Sequence, residues 1–551
     1  MRPEVDALSL AVIRGRLEQI ADEMDTVFER MAFSPVISDA WDRADGIYSA
    51  VDGSMIVQGV RGLPIFVGTM QYTVASVLAA IKDPKPGDMY LVNDPFAGGT
   101  HIMDTKMVRP FYYGGKLFAM LANTGHWTDL GGRVPGGFAA EASDCYQEGL
   151  RIPPVRLFTD EALNSDILAI LQTNSRLPDD VLGDVQAQAT ALRAGDSRLT
   201  ELLDEYGADL VSAVIDTLRE RSSIQMRSYI KDIPDGTYQF TEDMDNDGIV
   251  DKALSIAVEL TVSGEEMTVD FSKSSPPCEG PMNSVYAATV SSAIVAIKHV
   301  FPDVPINSGI FEPLTFVIPE TVFLNAKVPR PVAGCAAETS QRIITAVMGA
   351  LAGALPDRVP AGSSATSNNL SIGGVDEEGD PFVMYIFLGG GYGGHKAGDG
   401  LSNGCSLMSI GLIQSVETLE QRYPILVRQY SLRENSFGEG EFRGGLGVHF
   451  EFEYTGDRGR ASLLGDQSKT APIGRAGGGP GAASAPWFRL RGEKVILPMI
   501  SKGENIPLTR GDLICMLTPG GGGYGNPSAR SDKALRADVE SGYVRAASSA
   551  L

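Results

Sequence analysis

Apolar residues recur at spacings of three and four between Asp6 and Met31, at Leu10, Ile13, Leu17, Ile20, Met24, Val27, Phe28 and Met31, with charge between them. That period predicts an amphipathic helix, capped by Asp6 and ended by Ser34-Pro35. Short alternating runs follow. Residues 47–59, IYSAVDGSMIVQG, predict a hairpin turning at Asp52-Gly53. A second helix is expected over Gln71–Ile81, stopped by Pro84, then a buried strand over Met89–Val92 and another over Lys116–Asn123. From Thr159 to about Ile233 the period is helical again, with breaks expected at Pro178 and near Gly195. Tyr238–Phe271 alternates as hairpins. Tyr286–Val300 and Thr339–Leu351 predict buried helices, and Ala365–Leu370 and Val383–Leu388 predict strands. A β-rich region is expected from Tyr423 through Met516, with Gly474–Pro486 as a surface loop and Lys533–Ser548 as a terminal helix. No fixed-period repeat is present.

This mixture predicts an α+β, or mixed α/β, fold: a β-rich body in several segments, several buried helices and a β-rich C-terminal region. The expected divisions are 1–158 (N-terminal helix plus a metal-site α/β region), 159–233 (helical), 234–430 (central α/β), 431–530 (C-terminal β-rich) and 531–551 (terminal helix or tail). A length of 551 residues is too great for one core.

Composition narrows the partners. With 43% hydrophobic and 21% charged residues the chain reads as globular. A formal charge of −23 leaves no basic surface to neutralise phosphates, which argues against nucleic acid. No apolar run is long enough to span a bilayer, and the first twenty residues hold no apolar signal core. Five cysteines lie far apart without a CxxC pair, which fits a reducing compartment better than a disulfide framework. A cytoplasmic protein without membrane partners is the expectation.

The candidate chemistry gathers in residues 93–155. Two of the five histidines fall there, in His101-x-x-Asp104 and His126-x-x-Asp129, among many glycines. Imidazole and carboxylate at these spacings can surround one divalent ion, and such a set suits Zn, Mn or Fe. Both histidines are expected just after strands, in two loops facing one pocket. Asp94 and Asp129 are placed to complete the shell or to orient a histidine. The spacing alone is equally compatible with ordinary hydrogen-bonded residues beneath a turn. A metal here would polarise a carbonyl or generate hydroxide from water. Asp129 and Glu148 are the candidate catalytic carboxylates, Glu148 as general base or else as a cap or ion-pair residue. His395 sits in a glycine-rich loop, and His299 on an apolar helix reads as structural. Asp243–Gly248 resembles the start of a calcium loop, but Leu254 stands where a bidentate Glu is needed, so it reads as a polar turn. GxxxxGK[ST] and GxSxG are both absent.

Taken together, NDPFAGGTHIMD (93–104), HWTDLGG (126–132), YQEGLRIPP (146–154), GPMNSVYAATVSSA (280–293), AGCAAETSQRI (333–343), SLRENSFGEGEFRGGLGV (431–448) and PGGGGYGNP (519–527) resemble the hydantoinase B / 5-oxoprolinase B-type family across nearly the whole chain. The resemblance implies a heteromeric enzyme, in which an A-type ATP-binding partner phosphorylates the carbonyl of a cyclic amide or imide. The present chain would then open the ring of a hydantoin, oxoproline or lactam. It implies metal ligands at His101, Asp104 and His126. A fourth acidic ligand is implied after the FSP turn, at Asp42 or at its rival Asp45. Many relatives carry two adjacent histidines where this chain has His126-Trp127. Related chains serve in ATP-dependent carboxylation of acetone or acetophenone, and a non-catalytic scaffold for the A-type partner is the remaining alternative.

Overall fold

Seven antiparallel strands form the sheet that positions the candidate centre, in the order Met55–Gln58, Arg43–Ser49, Lys116–His126, Asp104–Tyr113, Met89–Val92, Val155–Thr159 and Ala162–Leu163. The computed structural model describes residues 4–376 and 378–544. Side chains alternate along each strand, so the sheet offers two apolar faces. In Lys116–His126, Ala119 and Leu121 enter one core, while Met120 and Ala122 enter the other.

Helices close both faces. Ala7–Met31 lays Leu10, Ile13, Leu17 and Phe28 into the first core, beside the helices Pro178–Tyr206 and Ala208–Lys231. Asp6 caps the first helix by accepting from the amides of Leu8 and Ser9. On the second face lie Pro64–Ala80, Tyr286–Val300 and Ser340–Ala354. A four-stranded sheet (Gly236–Met244, Leu254–Ser263, Glu266–Asp270 and, parallel to the last, Leu314–Val317) extends this second core. The C-terminal part holds two further sheets, of four and five strands, around a third core that includes Phe450, Phe452, Leu463 and Ile514. The fold is α+β.

Several expectations change in detail. The second helix begins at Pro64, not Gln71, because proline is well placed at the first helical position, where no partner for its amide is needed. The strand ending the site region continues through His126. Asp104–Tyr113 is a further strand that the sequence pattern did not mark. The helix from Pro178 passes straight through Gly195, where a β-carbon would stand 2.4 Å from Met24 Sδ; that glycine lets two helices approach. The break falls instead at Gly207, with φ of +80°. The turn after Asp243 directs its carboxylates at backbone. Asp245 accepts from the amides of Ser468, Lys469 and Thr470, and Asp247 from those of Ile249, Val250, Glu279 and Gly280. The terminal helix spans Asp532–Glu540, and residues 545–548 of the expected helix lie outside the described residues.

The expected surface loop 474–486 is partly built into a glycine lattice. Segments around Gly391, Gly438–Gly445, Gly478 and Pro519–Gly523 pack main chain against main chain. Gly438 donates to Gly521, Gly521 to Gly445, Gly445 to Tyr392, and Gly523 to Gly479. A β-carbon on Gly521 would lie 1.9 Å from the Tyr392 carbonyl oxygen, so no side chain fits there. All five cysteines are free thiols. No described helix is long and apolar enough to cross a membrane.

Candidate metal centre

Strand register assembles the centre. Asp104, the first residue of its strand, pairs with His126, the last residue of the neighbouring strand. The third strand begins at Arg43, which pairs with Gly125, so Asp42 arrives beside His126 and its carbonyl accepts the His126 amide at 3.0 Å. Trp41, just before it, holds a left-handed backbone with φ of +63°. A non-glycine residue there costs about 1–2 kcal/mol, a local strain that redirects the chain into the strand. His101 comes from the turn leading into Asp104. It therefore precedes a strand, unlike the arrangement expected from the sequence, and His126 lies within one.

The four side chains converge. His101 Nε2 lies 3.4 Å from Asp104 Oδ2, and His126 Nδ1 lies 3.5 Å from Asp104 Oδ1 and 3.8 Å from Asp42 Oδ2. One donor atom each from His101, Asp104 and His126 falls within 4.8 Å of the others. These separations exceed hydrogen-bond length, and they are what donors about 2.0–2.2 Å from a common ion would show. The test of fit is His126. Both its ring nitrogens are buried and neither has a hydrogen-bond partner. An unsatisfied buried polar group costs about 1–3 kcal/mol, which a bound cation would offset. Burial, against the opposing pull of Asp104, lowers the His101 pKa to about 3, so its imidazole is neutral as a ligand requires. Burial, followed by the opposing pull of His126 and the repulsion of Asp104, leaves the Asp42 carboxyl raised to about 7.

The surroundings fix these groups. The His126 ring stacks on Phe138 and Tyr385, with centroids 5.7 and 5.0 Å away. Tyr385 donates to Asn369, which donates to Glu338. Thr100 donates to the Asp104 carboxylate, and the buried Lys106 ammonium donates to the Asp104 carbonyl at 2.8 Å. Burial lowers the Lys106 pKa to about 8. Asn93 clamps the turn, donating to the carbonyls of Ile102 and Leu150 and accepting from the Ile152 amide. The pocket at the centre offers about 20 Å³ of water-sized space and is lined by Asp42, Leu63, Phe66, His101, Asp104, Phe138, Tyr385 and the segment around Ser406–Ser409. That is room for one ion or one water.

The other sequence candidates lie elsewhere in the hydrogen-bonding scheme. Asp129 accepts from the amides of Gly131, Gly136 and Arg176 and from the Arg176 guanidinium at 2.8 Å, so its carboxylate clamps the loop after His126. Glu148 Oε1 accepts from the amides of Val332 and Ala333, and burial raises its pKa to about 8. Neither lines the cavity. Asp94 caps the turn Pro95–Ala97. Asp45 points with Arg43 toward Asp25, away from the cavity, leaving Asp42 as the carboxylate at the centre. His299 bonds the Val295 carbonyl, and His395 is exposed. Sequence reasoning missed Lys106, Phe138, Tyr385 and Glu338. Only Lys106 left a mark, as a cation two residues after Asp104 in the strand Asp104–Tyr113.

A family model described as hydantoinase B/oxoprolinase matches residues 6–527. Caprolactamase subunit beta of Pseudomonas jessenii is 33% identical over 552 residues, covering 98% of this chain and 94% of that one. The crystal structure of the ATP-dependent caprolactamase from Pseudomonas jessenii superposes with a TM-score of 0.91 at 30% identity, covering 98% of this chain and 95% of that chain. A nucleotide-free structure of acetone carboxylase shares the fold, with a TM-score of 0.88 at 19% identity over 98% of this chain and 78% of the other.

Proposed function

The chain belongs to the hydantoinase B/oxoprolinase family, and on that premise we propose that it is the B-type subunit of an ATP-dependent amidohydrolase that opens a cyclic amide or imide. The observation that carries the reading is His126, buried with two unpartnered ring nitrogens between Asp104 and Asp42. His101, Asp104, His126 and Asp42 would hold a divalent metal such as Zn, Mn or Fe. Bound there, it would supply Lewis-acid polarisation of a carbonyl and a lowered pKa for water.

The chain's own residues do the rest. His101 is held neutral by burial. Phe138 and Tyr385 hold the His126 ring in one plane, and the same rings with Leu63, Phe66 and Met408 present an apolar wall to a substrate ring. Asp129 and Glu148 act as positioning residues, one holding the loop after His126 and the other holding the Val332–Ala333 backbone. ATP is used by an A-type partner that phosphorylates the amide oxygen, since no Walker-type motif is present in this chain. Phosphorylation removes the amide resonance that would otherwise oppose attack. The caprolactamase likeness favours a lactam among the ring substrates.

The test combines the chain with its A-type partner, MgATP and a panel of lactam, hydantoin and oxoproline. Ring-opened amino acid formed together with ADP, and lost on His126→Ala, is the expected result. Incorporation of labelled bicarbonate into a ketone, with no ring opening, would overturn the reading in favour of carboxylation.

A further inference from the structure

A second group of metal-type donors lies far along the chain, on the C-terminal five-stranded sheet. His449 and Glu451 stand two apart on the strand Val448–Tyr454, so both project from the same face. The intervening Phe450, with Val448 and Phe452, fills the third core, which places His449 and Glu451 on the outward face. Register sets Cys515, on the strand Leu513–Leu517, directly opposite Glu451. One donor atom from each of the three falls within 4.8 Å of the others.

Three observations point to a ligand rather than to a surface ion pair. His449 Nε2 lies 3.6 Å from Glu451 Oε2, too long for a hydrogen bond and near the separation of two ligands on one tetrahedral ion. That nitrogen is buried and has no hydrogen-bond partner, although the His449 side chain as a whole is 27% exposed. The Cys515 thiol is buried, its one side-chain partner among the described residues is the Glu451 carboxylate of the same group, and no disulfide engages it. A nitrogen, an oxygen and a sulfur donor suit zinc, whereas magnesium and calcium prefer an all-oxygen shell.

We propose that His449, Glu451 and Cys515 form a second divalent-metal site, selective for zinc, that staples the strand Val448–Tyr454 to the strand Leu513–Leu517. Its fourth position is open to water from the exposed side. Binding converts the Cys515 thiol to thiolate, with its proton released to solvent. The site is independent of the His101 centre and of the activity proposed for it.

The experiment uses the full chain, stripped of metal and titrated with Zn(II) and with Co(II). Wild type is expected to bind about two equivalents, in line with two tetrahedral sites. Co(II) is expected to give thiolate-to-metal charge-transfer absorption that excess Mg(II) does not remove. Cys515→Ser and, separately, His449→Gln should each lose one equivalent and the thiolate band, while His101→Ala loses the other equivalent and keeps the band. Retention of both equivalents in Cys515→Ser and His449→Gln, or a wild-type protein without a thiolate band, would overturn the site. A wild-type protein that binds one equivalent, with the thiolate band, speaks against the first centre and leaves the second standing.

Discussion

Asp104 and His126 are cross-strand partners whose side chains stop 3.5 Å apart. Hydrogen bonding would draw them closer, and nothing else among the described residues bonds the His126 ring nitrogens. The pair therefore defines a gap of ionic size rather than a contact. Asp104→Asn and His126→Ala are expected to lower bound metal by at least about 100-fold in affinity, since each removes a proposed ligand. Elemental analysis after dialysis checks this, and ring opening should fall in parallel. A variant that keeps full metal content would show that the pair is not part of the shell.

Asp129 behaves differently in substitution. Its carboxylate satisfies three backbone amides and the Arg176 guanidinium in a buried setting. Asp129→Ala is expected to cost about 2–3 kcal/mol of stability, because the amides of Gly131, Gly136 and Arg176 lose their acceptor, while the Arg176 guanidinium, 34% exposed, keeps the Gly132 carbonyl. Asp129→Asn should recover part of it. Denaturant unfolding measures both, and the metal content of the folded fraction should stay near that of wild type.

Asp184 gives a pH signature. It accepts from the amides of Phe33 and Ser34 and from the Ser34 hydroxyl, tying the helix Pro178–Tyr206 to the turn that leads toward Asp42. Burial, outweighing those donors, raises its pKa to about 7, against about 3.9 in an unfolded chain. The folded state thus holds a proton that the unfolded state releases. Its contribution to stability is full below pH 4 or so and is lost as the pH rises through about 7. Asp184→Asn should remove that slope, so the difference in unfolding free energy between variant and wild type changes steadily between these limits. A difference that is flat with pH would contradict the assignment.

Two glycines should respond oppositely to alanine. Gly521 sits in the lattice with a carbonyl oxygen where its β-carbon would be. Gly521→Ala is expected to destabilise by more than about 4 kcal/mol or to abolish folding. Gly15 lies mid-helix with nothing within 4 Å of a β-carbon. Gly15→Ala should stabilise by about 0.5–1 kcal/mol. Thermal unfolding of the two variants side by side is sufficient.

Much of this architecture was legible in residue order, because periodicity is a local property. The first helix, the Asp52-Gly53 hairpin and the buried helix at Tyr286 follow from spacing that each segment carries within itself. His101, Asp104 and His126 were legible as one cluster because the short spacings around the two histidines and a whole-chain likeness both drew attention to them. What stayed hidden depends on distance along the chain. Nothing near Asp42 or Asp45 tells which one faces His126; strand register and the turn at Trp41 decide it. Tyr385 comes from 259 residues beyond His126, and no local pattern joins the two. Asp129 read as a catalytic candidate because sequence does not show which backbone amides a carboxylate near a histidine accepts from. Gly195 read as a break because a glycine that admits a neighbouring helix is indistinguishable in sequence from one that ends its own.

The small cavity at the centre bears on size. Its water-sized space is enough for an ion or a water beside His101 and Asp104, and a substrate ring of the kind proposed above is larger than that. On that proposal the ring would meet the ion only if the side chains around Leu63–Phe66 and Ser406–Ser409 gave way, which makes those two segments, and not the four donors, the place where ring size would be selected.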